Sequence, residues 1–108
     1  MYGLCDQTVT VYRLAEGTVQ RQVLAGCYLQ MLEKRLPLDR RPQREFLLVV
    51  PGEPRVFPGD RVVPGEGPLV TIQGWKDFLP AQVPGLVVVG KTTGFYRTGI
   101  ACHTEATN

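Results

Sequence analysis

Serine is absent from this 108-residue chain, and histidine and tryptophan occur once each. Without serine and with one histidine, a Ser-His-Asp triad has no parts to be built from. Three cysteines, an odd number with no C-x-x-C spacing, argue against a disulfide framework and for reduced thiols. No apolar run approaches the roughly 18 residues of a membrane-spanning helix. The first residues, Met1 to Asp6, lack the charged start and apolar stretch of a secretory signal, so synthesis and assembly in the cytosol are expected. A net charge of +2 is too small by itself to imply nucleic acid or an anionic membrane.

What the chain has in quantity is turn punctuation. Pro51-Gly52, Pro58-Gly59, Pro64-Gly65 and Pro84-Gly85 separate short runs of β-branched and aromatic residues. Proline pre-sets φ and glycine reaches positive φ freely, so each pair marks a turn. The runs between them are too short for ordinary helices and read as strands. The fold class is therefore all-β: a small antiparallel β-barrel or sandwich over residues 1–108, one domain, with one long basic loop and a short helical turn.

Thr8 to Arg13 alternates, which predicts a half-buried strand with Val9 and Val11 inward and Thr8, Thr10 and Tyr12 outward. Leu14-Ala-Glu-Gly17 predicts a hairpin loop. From Val19 to Leu36 the apolar residues fit helical spacing as well as a strand. Gly26 in the middle costs a helix about 1 kcal/mol relative to alanine, and favours a long strand bulged near Ala25-Gly26. Leu36 to Gln43 predicts a loop, Phe46 to Val50 a strand buried on both faces, and Arg55 to Val63 a short strand-turn-strand around Phe57 to Val62. Leu69 to Ile72, Leu86 to Gly90 and Ile100 to Glu105 predict further strands, and Trp75 to Phe78 one helical turn closed by Pro80. The expected core is Val9, Val11, Phe46, Leu48, Val50, Val62, Val87 and Val89.

The candidates for chemistry are few. Cys102 and His103 are neighbours on an expected strand and point apart, so no metal or other cofactor is expected. The expectation is small apolar cysteines and a surface histidine. A Cys-His nucleophile lacks a third, orienting partner. Asp60, Glu66 and Asp77 stand beside turn residues, where carboxylates bond local backbone, and no enzymatic activity is expected. Gly85 to Thr92 matches the letters of a phosphate-binding loop. Leu-Val-Val-Val between its glycines is a stiff strand, however, and no helix-forming segment follows. The one charge cluster is Lys34, Arg35, Arg40, Arg41 and Arg44, five basic residues within eleven positions. It reads either as a solvated loop or as a surface for phosphate backbone or an acidic protein. Its lack of aromatics argues against base stacking.

Several segments taken in order carry a resemblance. They are Cys5 to Tyr12, Arg21 to Cys27, Phe46 to Pro51, Pro58 to Val62, Gly67-Pro68, Trp75 to Pro80 and His103-Thr-Glu105. The chain resembles the small neck proteins of tailed bacteriophages and prophages of Gram-positive hosts. These are head–tail joining proteins of the head-closure (stopper) type, also labelled minor capsid proteins. The resemblance implies a virion structural protein, a β-barrel protomer assembled in the host bacterial cytoplasm into a homo-oligomeric ring. That ring would close the channel beneath the portal or its adaptor and present a surface to the tail proteins. It also implies a loop, here Leu36 to Arg44, that reaches the channel and meets genomic DNA without reading its sequence. Two other readings stand beside it: a tail-completion or tail-terminator component of the same gene module, and a small nucleic-acid-binding barrel of the OB or SH3-like kind.

Overall fold

The computed structural model describes residues 5–35 and 42–108. It is all-β apart from one 3₁₀ turn, Trp75–Asp77. The strands are β1 (Gln7–Ala15), β2 (Thr18–Arg35), β3 (Pro42–Pro51), β4 (Arg61–Pro64), β5 (Val87–Val88), β6 (Lys91–Arg97) and β7 (Ile100–Thr107). All pair antiparallel in one seven-stranded sheet of order β5-β4-β1-β2-β3-β7-β6, curled into a half-barrel. Its two end strands are consecutive parts of one extended run. Val89 donates to the Asp60 carbonyl at 2.8 Å on the β4 side, and Gly90 donates to Thr107 at 2.8 Å on the β7 side.

Curling requires β2 to serve both halves of the sheet. Its first part pairs with β1 as far as Gln7↔Cys27, and its second part pairs with β3 from Tyr28↔Val49 to Arg35↔Pro42. The change of partner falls at a bulge. The register steps from Val9↔Leu24 to Gln7↔Cys27, so Ala25 and Gly26 face the single residue Thr8, and Gly26 has φ +71°. That conformation is costly for a side chain with a Cβ and free for glycine. The long bent strand expected from the sequence is thus the one observed. The helical alternative fails because β2 is paired in a ladder, first with β1 and then with β3, with Val19 and Val23 on one face and Leu24 on the other.

Val9, Val11, Phe46, Leu48, Val50, Val62, Val87 and Val89, the expected core, all lie in the cluster inside the curl, joined by Leu24, Cys27, Val56 and Ala106. β1 departs from expectation. It is buried on both faces, with Thr10 and Tyr12 as inaccessible as Val9. Residues 65–86 fold across its outer side and form a second cluster of Tyr12, Val63, Phe78 and Leu86. The anchors are side chains of the sheet. Thr10 Oγ1 donates to the Gly65 carbonyl and accepts from Gly67 N, both at 2.8 Å, and Tyr12 donates to Pro68 O at 2.6 Å. A side chain at Gly67 would collide with the Tyr12 hydroxyl and Val63. The expected strand at Leu69 to Ile72 is irregular chain that joins no ladder, and the Thr71 carbonyl accepts from Gly74 N in a turn.

Three smaller corrections follow from the same geometry. β3 buries one face only, with Phe46, Leu48 and Val50 inward and Leu47 and Val49 half-exposed. Leu86 to Gly90 yields only the two-residue β5, because the run changes partner at Gly90. β6 is an additional strand, joined to β7 by a two-residue turn in which Thr98 and Gly99 have φ +50° and +78°. Glu16-Gly17 repeats that turn between β1 and β2 with φ +51° and +75°. Both positive values belong to the turn whose twist matches a hairpin.

Phe46 is 3% exposed inside the curl, so Phe46→Ala is expected to cost about 3–5 kcal/mol in chemical denaturation. A change below about 1 kcal/mol would show that the interior collapses around the lost ring.

Candidate functional site

The β2–β3 ladder continues beyond its neighbours. β1 leaves β2 at Cys27 and β7 leaves β3 at Leu47. From Met31↔Phe46 to Arg35↔Pro42 the two strands pair, among the described residues, only with each other. At about 3.3 Å per residue this makes a two-stranded arm of roughly 15 Å. The sequence places the loop at Leu36 to Gln43. β2 ends at Arg35, in keeping with that, but β3 begins at Pro42, so Pro42 and Gln43 belong to the ladder, opposite Arg35 and Lys34, and not to the loop.

Of the five basic candidates, Lys34 and Arg35 are the last residues of β2, at register positions opposite Gln43 and Pro42. Arg44 stands on β3 opposite Glu33. Arg40 and Arg41 lie outside the described residues. The ladder therefore places Lys34, Arg35 and Arg44 on one arm, which a count along the sequence cannot show. It also sets an acidic residue opposite Arg44 that such a count misses.

Elsewhere Arg13, Arg21, Arg55 and Arg61 bond groups within the fold. Asp60, 1% exposed, accepts from Arg13 Nε at 2.8 Å and Nη2 at 2.7 Å, and from Phe57 N at 2.9 Å. Bonding to Asp60 raises the Arg13 pKa, and the Arg13 guanidinium lies 4.7 Å from the Phe57 ring centre. Gly59, with φ +91°, makes the corner that aims Asp60 inward. The carboxylate bonds the local turn, as expected, and also ties β1 to that turn. Arg61 lies 3.7 Å over the Trp75 ring and donates to the carbonyls of Trp75 and Phe78, closing the 3₁₀ turn onto β4. Desolvation lowers its pKa.

The thiols and the histidine are separated. Cys27 is fully buried, and burial raises its pKa. Cys102 is directed toward the Ile100 carbonyl at 3.7 Å. His103 is partly buried, a correction to the expected surface position, because its ring stacks on Phe95 at 4.5 Å and Nε2 lies 3.1 Å from Glu105 Oε2. Among the described residues no three His, Cys, Asp or Glu side chains gather as a metal site. A groove of about 410 Å³ at the foot of the arm, lined by Val9, Leu29, Met31, Pro64 and Gly85 among others, presents no titratable group.

A thiolate is the reactive form of cysteine, so a buried thiol with a raised pKa alkylates slowly. Iodoacetamide on the native protein at neutral pH is expected to label Cys5 and Cys102 before Cys27, as mapped by peptide mass spectrometry. Equal rates at all three would show that the interior around Cys27 opens.

No family model, no curated protein and no solved structure matches this chain.

Proposed function

We propose that this chain is a non-enzymatic structural protein of a tailed-phage neck. It would join the DNA-filled head, through the portal or its adaptor, to the tail, as one protomer of a ring around the channel. The observation that carries the reading is the arm: a two-stranded extension of the sheet with Lys34, Arg35 and Arg44 on its strands and Arg40-Arg41 between them in sequence. A cationic arm attracts the phosphate backbone without reading bases, as closing a channel over any genome requires. The resemblance of the strand and turn segments to head-closure proteins supports the same reading.

The rival is a barrel that binds nucleic acid by stacking bases on exposed aromatic rings. Phe57, Trp75 and Phe95 already have partners, which leaves Tyr96, 61% exposed, as a single ring and not a stacking platform among the described residues. Arg13 lies over Phe57, Arg61 over Trp75, and His103 is stacked on Phe95. That observation favours the arm over a stacking face. A tail-completion role in the same module would use the same arm, and the gene's neighbours distinguish the two.

On the reading of this basic run as solvated charge, replacing Arg40 and Arg41 with Glu and Arg44 with Gln is expected to change stability by less than about 1 kcal/mol. Gln at position 44 avoids setting a second carboxylate opposite Glu33. In phage carrying the triple variant, filled heads should leak or fail to join tails. Normal infectious particles would remove the channel role of the arm. Complete virions after disruption of the gene would remove the neck reading itself.

A further inference from the structure

The bend in β2 and the change of partner at Gly90 leave two strand edges open. Thr18 to Leu24 of β2 pair with β1 on one side, and no described strand lies on the other. Among the described residues β6 pairs only with β7. Each open edge is seven residues long. Neither contains proline, and the lysine and arginine of β6 stand only at its two ends, so the protection usual at edge strands is sparse. β6 is exposed along nearly its whole length, including Phe95 and Tyr96, and Val23 on β2 is 39% exposed.

We propose that these two edges are the two halves of one heterologous interface, in which β2 of one copy pairs antiparallel with β6 of the next. Charge decides against the symmetric alternatives. Full antiparallel pairing of β6 with itself sets Lys91 opposite Arg97. Full pairing of the β2 edge with itself sets Arg21 opposite Arg21. Like charges directly opposite destabilise a ladder.

Pairing β2 with β6 avoids both clashes. Val19, Arg21 and Val23 lie on the outer face of β2, opposite Leu14, Tyr12 and Thr10. Thr93 and Phe95 lie on the outer face of β6, opposite Glu105 and His103. Matching outer face to outer face sets Val19 against Phe95 and Arg21 against Thr93, and brings Arg97 beside Glu16 in the β1–β2 turn. A heterologous interface propagates, closing into a ring if the rotation per copy allows and otherwise forming a filament. Closure into a ring rests on the neck reading; the edge pairing itself does not.

The test uses two exposed positions, Val23→Lys to block the β2 edge against Lys91 and Thr93→Lys to block the β6 edge against Arg21. Sedimentation velocity should show wild-type protein forming species larger than a dimer as concentration rises. Each variant alone should stay monomeric, with the melting temperature of wild-type protein dilute enough to be monomeric. An equimolar mixture should form a one-to-one dimer and nothing larger, because each variant keeps the edge that the other lacks. A dimer of either variant alone, a monomeric mixture, or wild-type protein that stays monomeric to millimolar concentration would overturn the proposal. Edge pairing in solution together with complete virions in the gene disruptant would leave the interface standing and remove only the neck.

Discussion

Gly26 bends β2 within a single 18-residue strand, and the architecture on either side depends on that bend. Before it β2 belongs to the β1–β4 half of the sheet; after it β2 carries the β3–β7 half. A straight strand of this length would hold the two halves in one plane. Val9 and Val11 could not then meet Leu48 and Val50 in one enclosed cluster. The bend also lets the last residues of β2 outrun their neighbours, which makes the arm. It leaves the first residues with an open edge.

The second constraint is polar. Residues 65–86 have little regular structure, yet they hide Tyr12 and Thr10 completely. A segment with few ladder bonds must find other partners for its backbone, because unpaired buried polar groups are costly. Here Thr10, Tyr12, Arg21 and Arg61 reach out from the sheet to the carbonyls of Gly65, Pro68, Gly67, Trp75 and Phe78. Four side chains therefore do for this segment what a neighbouring strand does elsewhere. Arg13 and Asp60 do the same for the Gly59 corner.

The parts of this structure governed by near neighbours in sequence were legible in it. Alternation identified Val9 and Val11 as interior, short apolar runs between turns identified the other interior valines, and Glu16-Gly17 and Pro58-Gly59 identified turns through the conformational freedom of glycine. Gly26 identified the bend. The second burial of β1 was not legible, because its partners lie 55 and 56 residues away at Gly65 and Pro68 and leave no local pattern. β6 was obscured by Gly90 and Gly94, which interrupt its β-branched run, and by a Thr98-Gly99 turn lacking the usual Asn or Asp. Of the candidate site, the basic cluster was visible as composition. Its mounting on a two-stranded arm, with Glu33 opposite Arg44, is a property of register.

The arm and the open edge of β2 thus arise from one backbone event, and the account stands on the need for a left-handed residue at position 26. A Cβ there would meet only the Cys5 carbonyl, at an ordinary 3.8 Å, so the constraint is backbone conformation and not space. The most direct measurement compares denaturant unfolding of Gly26→Asn and Gly26→Val. Asparagine tolerates positive φ, and a β-branched residue does not. The account predicts that the asparagine variant stays within about 1 kcal/mol of wild type while the valine variant loses about 2 kcal/mol or more. Equal stability of wild type and both variants would contradict the claim that the bend at Gly26 holds the two halves of the sheet together.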